Sequence, residues 1–157
     1  MKRSRNLFLI GVLAVGLGLA GCRRQPAEEP VPAEEQAVEE ANRFLSEQGI
    51  TLPEGAERAY LSGEEGNRGV ATREMGDNQQ TYSIVADLAA PLSGVYYGWL
   101  RNSQGAVQNL GVLVAQKGGY VVERTTAEDW STYAEVVVSQ EEARPAQPSE
   151  AVLGGSF

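Results

Sequence analysis

The one side chain in this 157-residue sequence that stands out for covalent chemistry is Cys22, the only cysteine. Ala20 and Gly21 precede it, and such small residues let a peptidase reach the backbone there. The Cys22 sulfur is a nucleophile. The chain has no histidine. That removes serine–histidine and cysteine–histidine catalysis and every histidine-ligated metal site. No Walker-type phosphate loop occurs. Carboxylates alone can build a glycosidase, but no pair of them sits in an obvious strand-end context. Asp77, Asn78, Glu128 and Asp129 carry oxygens of the kind calcium takes, without a twelve-residue EF-type loop around them. The expectation is a chain without catalysis, without a metal and without a cofactor.

The residues around Cys22 resemble a bacterial lipoprotein signal. Lys2, Arg3 and Arg5 give a basic start, and Leu7 to Ala20 form an apolar core of 14 residues. That is short of the roughly 20 residues a permanent membrane helix needs. Gly11, Gly16 and Gly18 weaken it further as a stable helix. Residues 1–21 are thus expected to be a cleaved signal peptide, with Cys22 acylated, palmitate included. One acyl chain holds weakly, so a lasting anchor takes two or three. The alternatives are an uncleaved anchor, or an ordinary signal with a chance cysteine. The expected location is the extracytoplasmic face of the cell membrane. Arg23 gives no retention hint, so the inner leaflet of an outer membrane stays open where one exists.

Removing residues 1–21 leaves 136 residues and takes the formal charge from −8 to −11. That length suits one domain with a real core. An acidic surface disfavours nucleic acid and anionic headgroups as partners. With Cys22 acylated there is no disulfide, so the core must hold itself.

The elements that would position a site follow in order. Residues 23–35 read as a linker, extended by Pro26, Pro30, Pro32 and like charges. Residues 34–48 read as one helix with a thin apolar stripe of Val38, Ala41 and Leu45, and Gly49 as its stop. It either docks lightly or belongs to the stalk. Residues 22–54 thus form a lipidated linker and short helix, and 55–157 a second region. There the period changes to two, with turn residues about every ten positions, the pattern of an all-β sandwich or barrel. About eight short strands are expected. Apolar runs on one face argue for two packed sheets.

Within that region the order is Tyr82-x-Ile84-x-Ala86-x-Leu88, Pro91, Gly94, then Tyr96-Tyr97-Gly98-Trp99-Leu100. Leu110-Gly111-Val112-Leu113, Gly119-Tyr120-Val121-Val122, Asp129 and Tyr133 follow. Val136 to Glu141, Pro145, Pro148 and Val152-Leu153-Gly154 close the series. This resembles the extracytoplasmic C-terminal domain of anti-sigma-K factors, over roughly residues 55–157. It is also similar to stand-alone envelope lipoproteins with the same Tyr-x-Gly-Trp-Leu pattern. The resemblance implies an immunoglobulin-like antiparallel β-sandwich outside the cytoplasmic membrane. In anti-sigma factors a separate cytoplasmic helical domain binds the sigma factor. This chain would have no cytoplasmic part after cleavage, so direct sigma-factor binding is not expected. The related lipoproteins often carry a histidine and a glutamate near positions 151 and 154, where this chain has Ala151 and Gly154.

Tyr97, Gly98, Trp99 and Leu100 are expected to be core, because a buried aromatic contributes a large apolar area. Tyr96, Asp129 and Trp130 are the candidate partner-binding residues. Trp130 sits in the acidic run Glu128-Asp129-Trp130, where an exposed indole would anchor a partner. The reading preferred for Trp130 is a plug closing one end of the domain. The functional expectation is a lipid-anchored, non-enzymatic binding or sensing module of the envelope, contacting another envelope protein or a ligand. The competing readings are a structural or adhesive spacer and, third, a carboxylate-based glycan hydrolase.

Overall fold

A computed structural model describes residues 33–157. The signal segment 1–21, Cys22 and most of the linker lie outside the described residues. Residues 33–35, read as the end of the linker, are the first turn of a helix. That helix, α1, spans Ala33–Gln48 and stops where Gly49 takes a positive φ of 66°. Nine strands follow: β1 Glu57–Ser62, β2 Arg68–Met75, β3 Gln80–Asp87, β4 Val95–Asn102, β5 Val107–Val112, β6 Val114–Gln116, β7 Gly119–Thr126, β8 Tyr133–Glu141 and β9 Ala151–Ser156.

The all-β class with one short helix is as expected, but the strands do not divide into two sheets. They form a single antiparallel sheet in the order β5-β4-β8-β9-β1-β2-β3-β7-β6. The two end strands, β5 and β6, are consecutive in sequence and separated only by Leu113. β5 pairs with β4, while β6 pairs with β7. One bent strand therefore joins both ends of the sheet and makes it barrel-like. The Leu113 amide donates to the Tyr96 carbonyl at 2.8 Å, carrying the β4 ladder through the bend. The expected sandwich is corrected on this point. Sandwich and barrel both bury one face of every strand, so period two does not separate them.

The barrel interior is filled by alternate residues of each strand. Leu61, Ala71, Tyr82, Ile84, Leu100, Val136, Val138 and Leu153 are all at most 1 % exposed there. A second cluster lies on the outer face. Ala41, Phe44 and Leu45 of α1 cover Val70 and Val85, with Tyr60 and Val121 at the edge. These strand residues sit on the side opposite Ala71 and Ile84, so β2 and β3 are apolar on both faces. Arg68 ties the two layers: its guanidinium lies 5.7 Å from the Phe44 ring centroid and donates to Asp87 at 3.1 Å. The helix is thus packed on the sheet, burying Phe44 almost completely.

Candidate functional site

The motif Tyr97-Gly98-Trp99-Leu100 lies in the middle of β4, and all four residues are buried. Its two faces do different work. Tyr96, Gly98 and Leu100 point into the barrel. Gly98 is needed there: a Cβ would come within 2.9 Å of Ile84 Cδ1 and 3.1 Å of Val122 Cγ1. Tyr97 and Trp99 point outward and cluster with Val137 of β8. The Trp99 indole Nε1 donates to Ser139 Oγ at 2.9 Å. The four motif residues are buried, with the aromatic rings lying outside the barrel.

Of the three candidate partner-binding residues, two have buried side chains. Tyr96 is 5 % exposed; its hydroxyl donates to the Ala89 carbonyl, and its ring stacks edge-on against Tyr120. Burial pushes its phenol pKa upward. Trp130 is also 5 % exposed and packs against Tyr82, with ring centroids 5.9 Å apart. Gln80 holds the loop: its Oε1 accepts from the Trp130 amide at 3.0 Å and from the Tyr82 hydroxyl at 2.8 Å. Glu128 accepts from the indole Nε1 at 3.0 Å. Trp130 is therefore the plug of this end of the barrel, together with Phe157, whose ring lies 4.6 Å from the Arg73 guanidinium. The surface-candidate reading of Tyr96 is corrected, and of the two readings of Trp130 the plug holds: the acidic neighbours mark a loop, but the indole turns inward from it.

Asp129 alone of the three is exposed. Its carboxylate accepts from the Ser131 amide at 2.9 Å and from Gln80 Nε2 at 3.2 Å. These bonds, Ser131 first, lower its pKa from the ordinary aspartate range. It shapes the loop from inside its own turn. Among the described residues no group of three Asp, Glu, Cys or His is placed to hold a metal.

An open concavity lies at the other end, where β1, β3, β6 and β8 finish. A cleft of about 750 Å³ lies there, lined by the turn Ser62–Asn67, by Gln140 and by Ser149–Gly154. It sits above the weakest seam in the sheet, since β1 and β9 share one registered pair, Ser62 with Gly154. The strands cross there closely. A Cβ on Gly63 would lie 2.0 Å from the Val152 carbonyl oxygen, and one on Gly155 would lie 2.3 Å from that of Tyr60. Glu64, Glu65 and Glu150 line the cleft. Glu65 is held at φ 57°, the only positive φ of a non-glycine among the described residues. Next to the lining residue Gln140, Glu141 accepts from the Ser149 amide at 2.8 Å. Burial raises the pKa of Glu141, but bonds from Ser139 and Ser149 outweigh it and leave the value lowered. Ala151 and Gly154 both line this cleft, so its floor carries no acid–base side chain at those two positions. Sequence reasoning missed the site because turn and crossing lie about eighty residues apart, and adjacent carboxylates such as Glu64-Glu65 give no sign of a cleft by themselves.

Comparison with known proteins gives one family. The model of the anti-sigma-K factor RskA C-terminal region matches residues 7–152. The match begins inside the apolar segment, well before the residue-55 limit read from the motifs, and stops ahead of Leu153–Phe157. No curated protein and no solved structure matches the chain. With nearly the whole chain covered, and the Tyr-Gly-Trp-Leu strand at the centre of the barrel, the protein belongs to the anti-sigma-K factor C-terminal family.

Proposed function

We propose that this chain is a lipid-anchored, extracytoplasmic binding or sensing module of the cell envelope, with no catalysis of its own. The family is regulatory by name, and that membership carries the reading. The geometry supports a contact surface in one way. The two ends of the barrel differ: one is plugged by Trp130, Tyr82 and Phe157, while the other presents an open, acidic concavity. A rigid barrel that closes one end and opens the other is suited to hold a contact surface in a fixed shape.

On this reading acylated Cys22 holds the protein at the membrane and the acidic linker gives it reach. Tethering raises the local concentration of the domain around other envelope proteins, so weak contacts suffice. The partner is another envelope protein rather than a sigma factor. The test is crosslinking in intact cells, read by mass spectrometry. Saturable capture of one envelope protein, lost when Cys22 is replaced by Ser, is the expected result. Diffuse capture with no dominant partner would overturn the proposal, as would turnover of cell-wall glycan by the purified domain.

A further inference from the structure

Beside the cleft, at the same end of the barrel, an apolar ridge faces solvent. Tyr96 and Leu113 oppose each other across the bend and both point into the core. Their chain neighbours must therefore point outward together. These are Val95 and the buried Tyr97 on one side, and Val112 and Val114 on the other; the three valines are 40 %, 39 % and 57 % exposed. Leu92, at the tip of the loop entering β4, is fully exposed. Single exposed apolar residues are ordinary, but three brought to one corner by strand register, with a fourth in the loop three residues ahead of Val95, are not.

The ridge is held ready. Tyr96 donates to the Ala89 carbonyl at 3.0 Å, and Gln140 Nε2 donates to the Ser93 carbonyl at 2.8 Å. Gly94, at φ 70°, lets the loop press onto β8; a Cβ there would lie 2.1 Å from the Glu141 carbonyl oxygen. Leu92 is thus presented by a loop pinned on both sides, which lowers the ordering cost of binding.

The charge around the ridge selects its occupant. Residues 89–95 and 112–116 carry no charge. Glu141 and Glu142 border them: Glu141 pairs with Val95, and Glu142 accepts from Ser93 Oγ at 3.3 Å. Glu64, Glu65 and Glu150 lie on the cleft beyond, against Lys117 and Arg144 as the nearby loop cations. A second copy of this chain would bring the same negative charge, and an anionic bilayer likewise, so both are repelled.

Resting on the binding-module reading above, we propose that Leu92, Val95, Val112 and Val114 form the docking ridge for a segment of an envelope protein that carries an apolar side chain flanked by lysine or arginine. The apolar side chain sits on the ridge and the basic flanks face Glu141 and Glu142.

The test uses the full chain in intact cells, with the photo-reactive substitution Leu92→p-benzoylphenylalanine and, separately, the same substitution at Glu65. The expected adduct from position 92 is a protein segment with an apolar residue beside lysine or arginine. Its yield should fall about tenfold with Val112→Ser and Val114→Ser together, and severalfold with Glu142→Lys, in variants whose thermal melts are unchanged. A lipid adduct, an adduct to a second copy, or a segment without basic residues overturns the ridge. An adduct from position 65 but none from 92 overturns the ridge and leaves the binding module standing. No adduct from either position removes both.

Discussion

Trp99 and Ser139 share a buried hydrogen bond across β4 and β8, with the indole nitrogen 2.9 Å from the hydroxyl and both side chains at most 1 % exposed. The indole has one donor and no other partner in reach of it is seen among the described residues. Ser139→Ala should therefore strand that donor and cost about 1–3 kcal/mol. Trp99→Phe leaves Ser139 its bond to Glu141 but removes the indole's bond and opens space, and should cost a similar amount. The midpoint of urea unfolding reads both. A change of less than a few tenths of a kcal/mol for Ser139→Ala would mean that the bond is absent in solution.

Two glycines separate side-chain crowding from backbone crowding. Gly98→Ala would press a methyl against Ile84 and Val122, which costs about 1–3 kcal/mol. Shortening the neighbour with Ile84→Val should recover part of that loss. At Gly155 the obstacle is the Tyr60 carbonyl oxygen, 2.3 Å from a built Cβ. Backbone cannot be trimmed, so Gly155→Ala should be the more severe change, with no side-chain rescue. Paired melting curves test this, and equal rescue at both sites would contradict it.

Removing the Phe44 ring should loosen α1 from the sheet. Phe44 is 1 % exposed and packs over Val70 and Val85. Phe44→Ala should cost about 3–5 kcal/mol, the range for deleting a buried aromatic. Amide exchange of the Val70 and Val85 backbones should change little, because their ladders lie within the sheet, while α1 amides should exchange far faster. A silent variant would mean that the helix belongs to the stalk.

Acid should weaken the fold through cross-strand and loop carboxylates. Arg101 donates to Glu135 from Nε at 2.6 Å and also from its second nitrogen, which lowers the Glu135 pKa below the ordinary glutamate range. Asp129 is lowered in the same direction by Ser131 and Gln80. A lowered carboxyl binds fewer protons when folded than when unfolded. Its stabilisation is present above the unfolded value and disappears as pH falls through the folded one. The Arg101–Glu135 pair is about two-fifths exposed, so its share is at most about 1 kcal/mol. Melting temperature should fall as pH drops below the usual carboxylate range, and Arg101→Gln should flatten that fall. A profile unchanged by Arg101→Gln would remove the pair from the account.

Much of this architecture is legible along the chain, for physical reasons. Val95–Asn102, Tyr133–Glu141 and their turns follow from period two and from glycines that accept unusual φ. The helix end at Gly49 follows from the same rule. Which side of β4 faces inward does not, because Val95 to Leu100 is apolar on both faces. The barrel interior takes Tyr96, Gly98 and Leu100, and the decision rests on Ile84, Val122 and Leu113 arriving from other strands. Leu113 also hides the closure of the sheet, since an apolar residue within an apolar run gives no sign of a bend. The acidic neighbours of Trp130 leave an exposed anchor and a plug both open along the chain, and Gln80 and Tyr82, fifty residues earlier, decide by drawing it in. The cleft is the least legible feature, because its walls are two polar turns that only the β1–β9 crossing brings together.

The central claim is that acyl chains on Cys22 hold this barrel at the outer face of a membrane. The most direct measurement is intact-mass analysis of the protein purified from its native membrane fraction, combined with protease shaving of whole cells or spheroplasts. The account predicts a chain that begins at Cys22, carries diacylglycerol with a further acyl group, and is cut by external protease. A chain that retains residues 1–21, has a free thiol at position 22 and stays protected in the cytosol would contradict it.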